Sequence, residues 1–199
     1  MTKKKTALKS DSHERCATAL LIVDVINPLD FPEAGQLLRY VPTLTRNILR
    51  LKKRAQKADV PVIYVNDNFG RWRSDFRSQV KYCLAEESRG RQMVRQLAPE
   101  EKDYFVLKPK HSGFFATALD PLLRHLGARQ LILAGIAGNS CILHTANDAY
   151  MRDYSVIVPA DCVASNTAED NRHALHLMRD FNKADIRPSS QVRFPRSDS

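Results

Sequence analysis

No apolar run in the sequence approaches the ~20 residues that a bilayer-spanning helix needs. Residues 1–14 are polar and lysine-rich with no apolar segment behind them, so neither a membrane anchor nor a secretory signal is expected, and a cytoplasmic protein is. Cysteine is sparse: the four residues, Cys16, Cys83, Cys141 and Cys162, are widely spaced and form no CxxC pair, which argues against a zinc knuckle or a thioredoxin-type motif. In a reducing compartment they stand as free thiols, each either a small buried apolar residue or a reactive group. Internal repeats, low-complexity segments and linkers are absent, and no RNP, KH or zinc-finger pattern accompanies the basic residues.

What is present fits one domain: 199 residues with 43% hydrophobic content bury a sizeable core without disulfides or metals. The expected organisation is a disordered basic tail over 1–14 and a single domain over 15–199. The net charge of +9 raises the question of a nucleic-acid or anionic-surface partner. Its distribution argues for the plainer reading. Lys3, Lys4, Lys5 and Lys9 lie in the tail, while Arg46, Arg50, Lys52, Lys53, Arg54 and Lys57 decorate a predicted helix whose apolar stripe is Leu44, Ile48, Leu51 and Ala55. Charge on the outer side of an amphipathic helix is the norm for a surface helix, so nucleic acid is not the expected partner.

Ala17 to Asp24 is a near-continuous apolar run closed by a carboxylate, which reads as a strand buried on both faces of a parallel sheet. A helix from about Thr43 to Ala58 and a strand over Pro61–Asn66 complete a βαβ unit. The pattern loses its period from Asp67 to Gln79, and Glu86 to Leu97 reads as a loop and short helix. Regularity returns with a strand over Asp103–Lys108, a helix near Thr117–Leu126, a strand over Gln130–Gly135 and a turn at Ile136–Ser140. A helix over Cys141–Arg152, a strand over Ser155–Pro159 and a helix near Ala168–Phe181 follow, the last with Ala174, Leu177, Met178 and Phe181 inward. A weak sixth strand is placed around Ala184–Arg187. Strands alternating with helices at this spacing give an α/β, three-layer, doubly wound and mostly parallel sheet with helices on both faces.

In such sheets the ligand site lies at the carboxyl ends of the strands. Asp24, Lys108 and the turn before Cys141 all fall there. A charged residue closing an apolar strand is sometimes only an exit to solvent, but three reactive residues at one edge form a candidate site. Cys141 opens a helix directly after a strand and a glycine-containing turn, where exposed N–H groups and the helix dipole stabilise a thiolate and an oxyanion. A nearby carboxylate accepts the thiol proton and a lysine supplies positive charge. The other cysteines lack this setting, with Cys162 the nearest rival. His144, one turn into the helix, is either a site residue or a packed or surface histidine, and Trp72 and Phe76 are either substrate covers or core anchors.

At these residues the sequence resembles the isochorismatase-like superfamily of cysteine hydrolases, which includes nicotinamidases and N-carbamoylsarcosine amidases. The resemblance runs from about Ala17 to Ser165. Three stretches carry it: Ala19–Asp24; Lys108-Pro-Lys-His-Ser-Gly-Phe114; and Leu133-Ala-Gly-Ile-Ala-Gly-Asn-Ser-Cys141 with Thr145-Ala-Asn-Asp-Ala149. It implies Asp24 as general base, Cys141 as nucleophile, and Lys108 rather than Lys110 as the catalytic lysine, by its spacing to Ser112 and Phe114. It also implies a cis peptide between Ile136 and Ala137 that aims the N–H groups of Ala137 and Cys141 at an oxyanion. Ile136 and Ala137 are thereby candidate substrate contacts, and Trp72 of the irregular loop is a third on its own reading.

Departures from the family pattern narrow the activity. Where nicotinamidases carry an Asp-x-His metal motif, this chain has Asp67-Asn68-Phe69, and none of its six histidines is placed to restore it, so no metal and no cofactor are expected. The usual Asp-x-Gln is replaced by Asp24-Val25-Ile26, with Asn27 beside it. The presence of Cys141 favours amide hydrolysis over vinyl-ether cleavage. The expected function is cysteine-dependent hydrolysis of a small carboxamide or ureido compound through a thioester. The resemblance implies a homodimer or homotetramer. Two readings from other classes are a non-enzymatic protein of the same fold that binds nucleic acid or anionic partners through its basic surface, and a peroxidatic thiol at Cys141. The latter lacks an obvious resolving cysteine unless Cys162 serves.

Overall fold

The computed structural model describes residues 15–194; the expected tail over 1–14 lies outside the described residues, as do residues 195–199. The strands are β1 (Thr18–Val23), β2 (Val62–Asp67), β3 (Tyr104–Lys108), β4 (Gln130–Ile136), β5 (Ser155–Ile157) and β6 (Val163–Ala164). They form one sheet in the order β3-β2-β1-β4-β5, with β6 also paired to β4, and every pairing is parallel. The helices are α1 (Ala34–Leu37), α2 (Val41–Lys57), α3 (Phe76–Cys83), α4 (Arg91–Gln96), α5 (Leu119–Leu126), α6 (Leu143–Tyr150) and α7 (Ala168–Asn182). Among the described residues no helix is long and apolar enough to cross a membrane.

Alternation along the strands divides the core in two. On one side Leu20, Ile22, Val62, Tyr64, Ile132 and Ala134 pack with Leu44, Ile48 and Leu51 of α2 and with Met93 and Val94 of α4. On the other, Leu21, Val23, Ile63, Val65, Leu131 and Leu133 pack with Leu119 and Leu123 of α5, Ala146 and Ala149 of α6, and Met178 of α7. The central strands are buried on both faces, which explains why they read as unbroken apolar runs.

Three details differ from the sequence reading. The sixth strand is not at 184–187, where only a single bridge joins Ile157 to Asp185. Pro159, with no N–H to continue a ladder, ends β5 early; a 3-10 turn at Ala160–Cys162 then returns the chain to the far end of β4 as β6. The region read as irregular holds α3, whose N-cap Asp75 accepts a bond from the Ser78 N–H (2.7 Å). In α7 the buried face is Ala174, Leu175, Met178 and Asn182, whereas Leu177 and Phe181 are 45% and 69% exposed. Two apolar stripes compete on this helix, and the docking of α7 on α6 selects between them. Asn182 Nδ2 donates to Asn147 Oδ1 there (2.6 Å).

The pairing of β1 with β4 runs to Val23–Gly135, directly below Asp24. Gly135 has φ +130°, and a Cβ there would stand 2.0 Å from the Val23 carbonyl oxygen. Only glycine allows this approach. Gly135→Ala is expected to lower stability by about 2–4 kcal/mol, read as a fall in the urea midpoint with an unchanged slope; an unaltered midpoint would mean the strands part here without cost.

Candidate active site

Asp24, Lys108 and Cys141 meet at the carboxyl edge of the sheet. Strand order explains how: Lys108 ends β3 and Asp24 follows β1, so β2 lies between them, and strands are ~4.8 Å apart. The long lysine stem spans that strand. Lys108 Nζ lies 2.9 Å from Asp24 Oδ2 and 3.5 Å from Cys141 Sγ, to which it donates. Asp24 leaves β1 with φ +53°, a left-handed conformation that breaks strand alternation and that aspartate tolerates better than most residues. The Cys141 thiol hydrogen-bonds the Asp24 carboxylate.

The ammonium has no solvent contact: the Lys108 side chain is 0% exposed and that of Asp24 6%. Burial works against the Lys108 charge, but Asp24, Cys141 and Asp67 together hold its pKa above the ordinary lysine value. Burial raises the Asp24 pKa above the usual aspartate value, outweighing the opposing pull of Lys108. Burial and then the Asp24 charge push the Cys141 thiol up to about 12. Burial does the same to Cys83 and Cys162, each also pushed up to about 12. A raised pKa therefore does not single out Cys141; a carboxylate and an ammonium against its sulfur do.

The turn that carries Cys141 is not the first turn of an α-helix, as the sequence reading has it. Residues Gly138–Ile142 form a π-helical turn, the Ile142 N–H donating to the Ala137 carbonyl (3.1 Å), and α6 starts only at Leu143. Side chains of other segments hold the turn. Thr145 Oγ1 donates to the Cys141 carbonyl (2.7 Å) and accepts from the Gly113 N–H (3.0 Å), tying the loop after Lys108 to the turn. Ser165 Oγ accepts from the Asn139 N–H (3.0 Å), and Asn171 Oδ1 accepts from that Ser165 hydroxyl (3.1 Å). Gly138 is packed so closely that a Cβ would meet Asn171 Oδ1 at 2.3 Å.

The remaining candidates are dispersed. The Ile136–Ala137 peptide is cis; the Ile136 side chain is buried in the α2-side core and Ala137 packs against it. Phe76 is a core residue. Trp72 is 78% exposed, beside an open hollow with Arg71, Arg73 and Ser78. His144 is exposed, its Nδ1 on the Ser140 carbonyl oxygen (2.8 Å), and its ring lies 5.2 Å from that of His111. Ser165 and Asn171 also line a cavity of about 350 Å³ with Tyr40, Asn47 and Asp161, none of which belongs to the Asp24–Lys108–Cys141 group. Among the described residues no group of three or more His, Cys, Asp or Glu is arranged to hold a metal ion. Asp67, considered from sequence only as an incomplete metal motif, instead lies 3.5 Å from Lys108 Nζ through Oδ2.

The sequence pattern of the isochorismatase domain family matches residues 18–186. The chain belongs to the isochorismatase domain family. It is 44% identical over 174 residues to the isochorismatase family protein YaaI of Bacillus subtilis, covering 87% of this chain and 95% of YaaI. A shorter match, 34% identical over 91 residues, is to the ureidoacrylate amidohydrolase RutB of Acinetobacter baylyi; it covers 45% of this chain and 37% of RutB. Among solved structures, a cysteine hydrolase from Pseudomonas syringae pv. phaseolicola superposes with a TM-score of 0.69 at 27% identity, covering 88% of this chain and 90% of that one. The isochorismatase fold and the parallel six-stranded sheet of this chain are thus the same architecture.

The buried pair makes a stability prediction. Lys108→Met removes the counter-charge of a buried carboxylate and is expected to cost about 3 kcal/mol at pH 8. Without Lys108 the folded-state pKa of Asp24 rises further above its unfolded value, so the folded chain takes up a proton on acidification. The defect should therefore shrink as the pH falls through that folded pKa. Urea unfolding of both proteins at pH 8 and pH 5 checks the sign.

Proposed function

We propose that this isochorismatase-family protein hydrolyses a small carboxamide or ureido compound through a thioester on Cys141. The observation that carries the reading is the Lys108 ammonium held 2.9 Å from Asp24 and 3.5 Å from the Cys141 sulfur at the carboxyl edge of the sheet. The partial match to a ureidoacrylate amidohydrolase supports the substrate class.

With its thiol pushed up to about 12, Cys141 rests protonated and needs a base in contact with it. Asp24 takes the thiol proton as the sulfur attacks the substrate carbonyl carbon. The oxyanion is received by the N–H groups of Ala137 and Cys141, and the lysine charge steadies the thiolate as it forms. Collapse of the tetrahedral species breaks the C–N bond, and the protonated Asp24 gives its proton to the leaving nitrogen. Water then attacks the thioester, Asp24 accepting its proton, and the sulfur leaves and is reprotonated from Asp24. A carboxamide yields ammonia and the acid; a terminal ureido group yields ammonia and a carbamate that loses carbon dioxide.

The reading is tested by ammonia release from a panel of primary amides and ureido acids, without added metal. The expected result is release by the wild type, with Cys141→Ser and Asp24→Asn each reduced about 1,000-fold or more in kcat. Equal release by wild type and Cys141→Ser would remove Cys141 as nucleophile. Because burial raises the Asp24 pKa, and the base must be ionised, the acid limb of kcat/KM is expected above the ordinary aspartate range.

A further inference from the structure

Lys108 is shared by more anions than a catalytic pair needs. Three elements face its Nζ: the end of β1 with Asp24 (2.9 Å), the end of β2 with Asp67 (3.5 Å), and the π-turn with Cys141 (3.5 Å). Asp67 is the register partner of Lys108 across the β2–β3 ladder, so the strand that the lysine stem must cross ends in a carboxylate beside the ammonium. Asp67 is itself fixed. Its Oδ1 accepts the Phe69 N–H (2.6 Å), leaving Oδ2 toward Lys108, and its own N–H donates to Asp24 Oδ1 (2.6 Å). One residue therefore touches both the ammonium and the carboxylate of the group described above.

Resting on the proposed hydrolase reading, we infer that Asp67 is a positioning residue that serves as the standing counter-ion of Lys108 while the proton moves between Cys141 and Asp24. The charge count shows why one is needed. Before transfer the group holds Lys108⁺, Asp24⁻, Asp67⁻ and a neutral thiol; afterwards it holds Lys108⁺, a neutral Asp24, Asp67⁻ and a thiolate. The sum is the same in both states, but the ammonium has lost its nearest anion to protonation. Asp67 retains its charge throughout, keeps Nζ protonated in a site with no solvent contact, and leaves it free to face the sulfur. Its N–H holds the Asp24 carboxylate in place for the returning proton.

The test uses the charge, not the shape. Asp67→Asn keeps the backbone N–H and the side-chain volume while removing one negative charge, which lowers the pKa of every ionisable partner. The pH dependence of Cys141 alkylation by iodoacetamide, followed by mass spectrometry of the Cys141 peptide, is expected to move about one unit toward acid. At the same time kcat should fall about tenfold with KM little changed, because Asp24 becomes a weaker base. Asp67→Glu should restore both. Looser packing would instead accelerate alkylation equally at every pH, and that result, or an unmoved profile in a folded Asp67→Asn protein, would overturn the inference. If Asp67→Asn does not fold, Asp67→Ser removes the same charge and is read the same way. The alkylation profile needs no substrate, so a chain that hydrolyses none of the amides tried still reports on Asp67; an unmoved profile in an active enzyme sinks Asp67 alone.

Discussion

A single ammonium without solvent contact organises the carboxyl edge of this sheet. An isolated buried charge is too costly to persist, so Lys108 fixes what must surround it: anions close enough to replace water, and elements stiff enough to hold them. Three adjacent parallel strands meet that demand, each ending in a charged residue, with Asp24 and Asp67 contributing the anions. The fourth, β4, delivers a sulfur in place of a third carboxylate. A parallel sheet suits the task because all its carboxyl ends lie on one edge and its register sets residues of neighbouring strands side by side.

The sulfur is positioned by a different kind of force. The backbone of the turn at Gly138–Ile142 is held by uncharged side chains: Thr145 on the Cys141 carbonyl, Ser165 on the Asn139 N–H, and Asn171 behind Ser165. Glycines at 135 and 138 permit the close approaches that bring this scaffold together, one against β1 and one against α7. The charged groups and the backbone that carries Cys141 are thus anchored separately, the first by ion pairs across β1 to β3 and the second by neutral bonds from α6, α7 and the loop after β6. A proton moving between Cys141 and Asp24 would cross the seam between two frameworks that do not themselves need to move.

Most of the fold was legible because the central strands are buried on both faces, so hydrophobicity alone marks Ala19–Val23 and Leu131–Ile136. The candidates Asp24 and Lys108 were legible as charged residues closing apolar strands, and Cys141 by the glycine-containing turn that follows β4. What escaped depends on tertiary choice. The two apolar stripes of α7 are equal in sequence, and only docking on α6 decides that Leu175 is buried and Phe181 is not. The two-residue β6 is too short to carry a period, and the π-turn depends in part on Ser165 and Asn171, which are distant in chain order. Asp67 was visible as a residue but not as a partner, because its meaning lies in register with Lys108 and not in the spacing of its own segment.

The three raised thiols sharpen the distinction between burial and function. Cys83, Cys141 and Cys162 are all pushed up to about 12, so a thiolate is disfavoured at each. At Cys83 and Cys162 burial is the largest cause, and the arginines nearby, Arg71 and Arg54, do not offset it. For Cys141 the same burial acts on a sulfur that stands between a carboxylate, itself raised by burial, and the Lys108 ammonium at 3.5 Å. Desolvation disfavours a thiolate at all three, and at Cys141 the ammonium and the carboxylate against the sulfur are the groups that would have to compensate for it. The arrangement argues for proton removal within the attacking step and not for a standing thiolate, and it makes the chemistry proposed for Cys141 a property of four groups together.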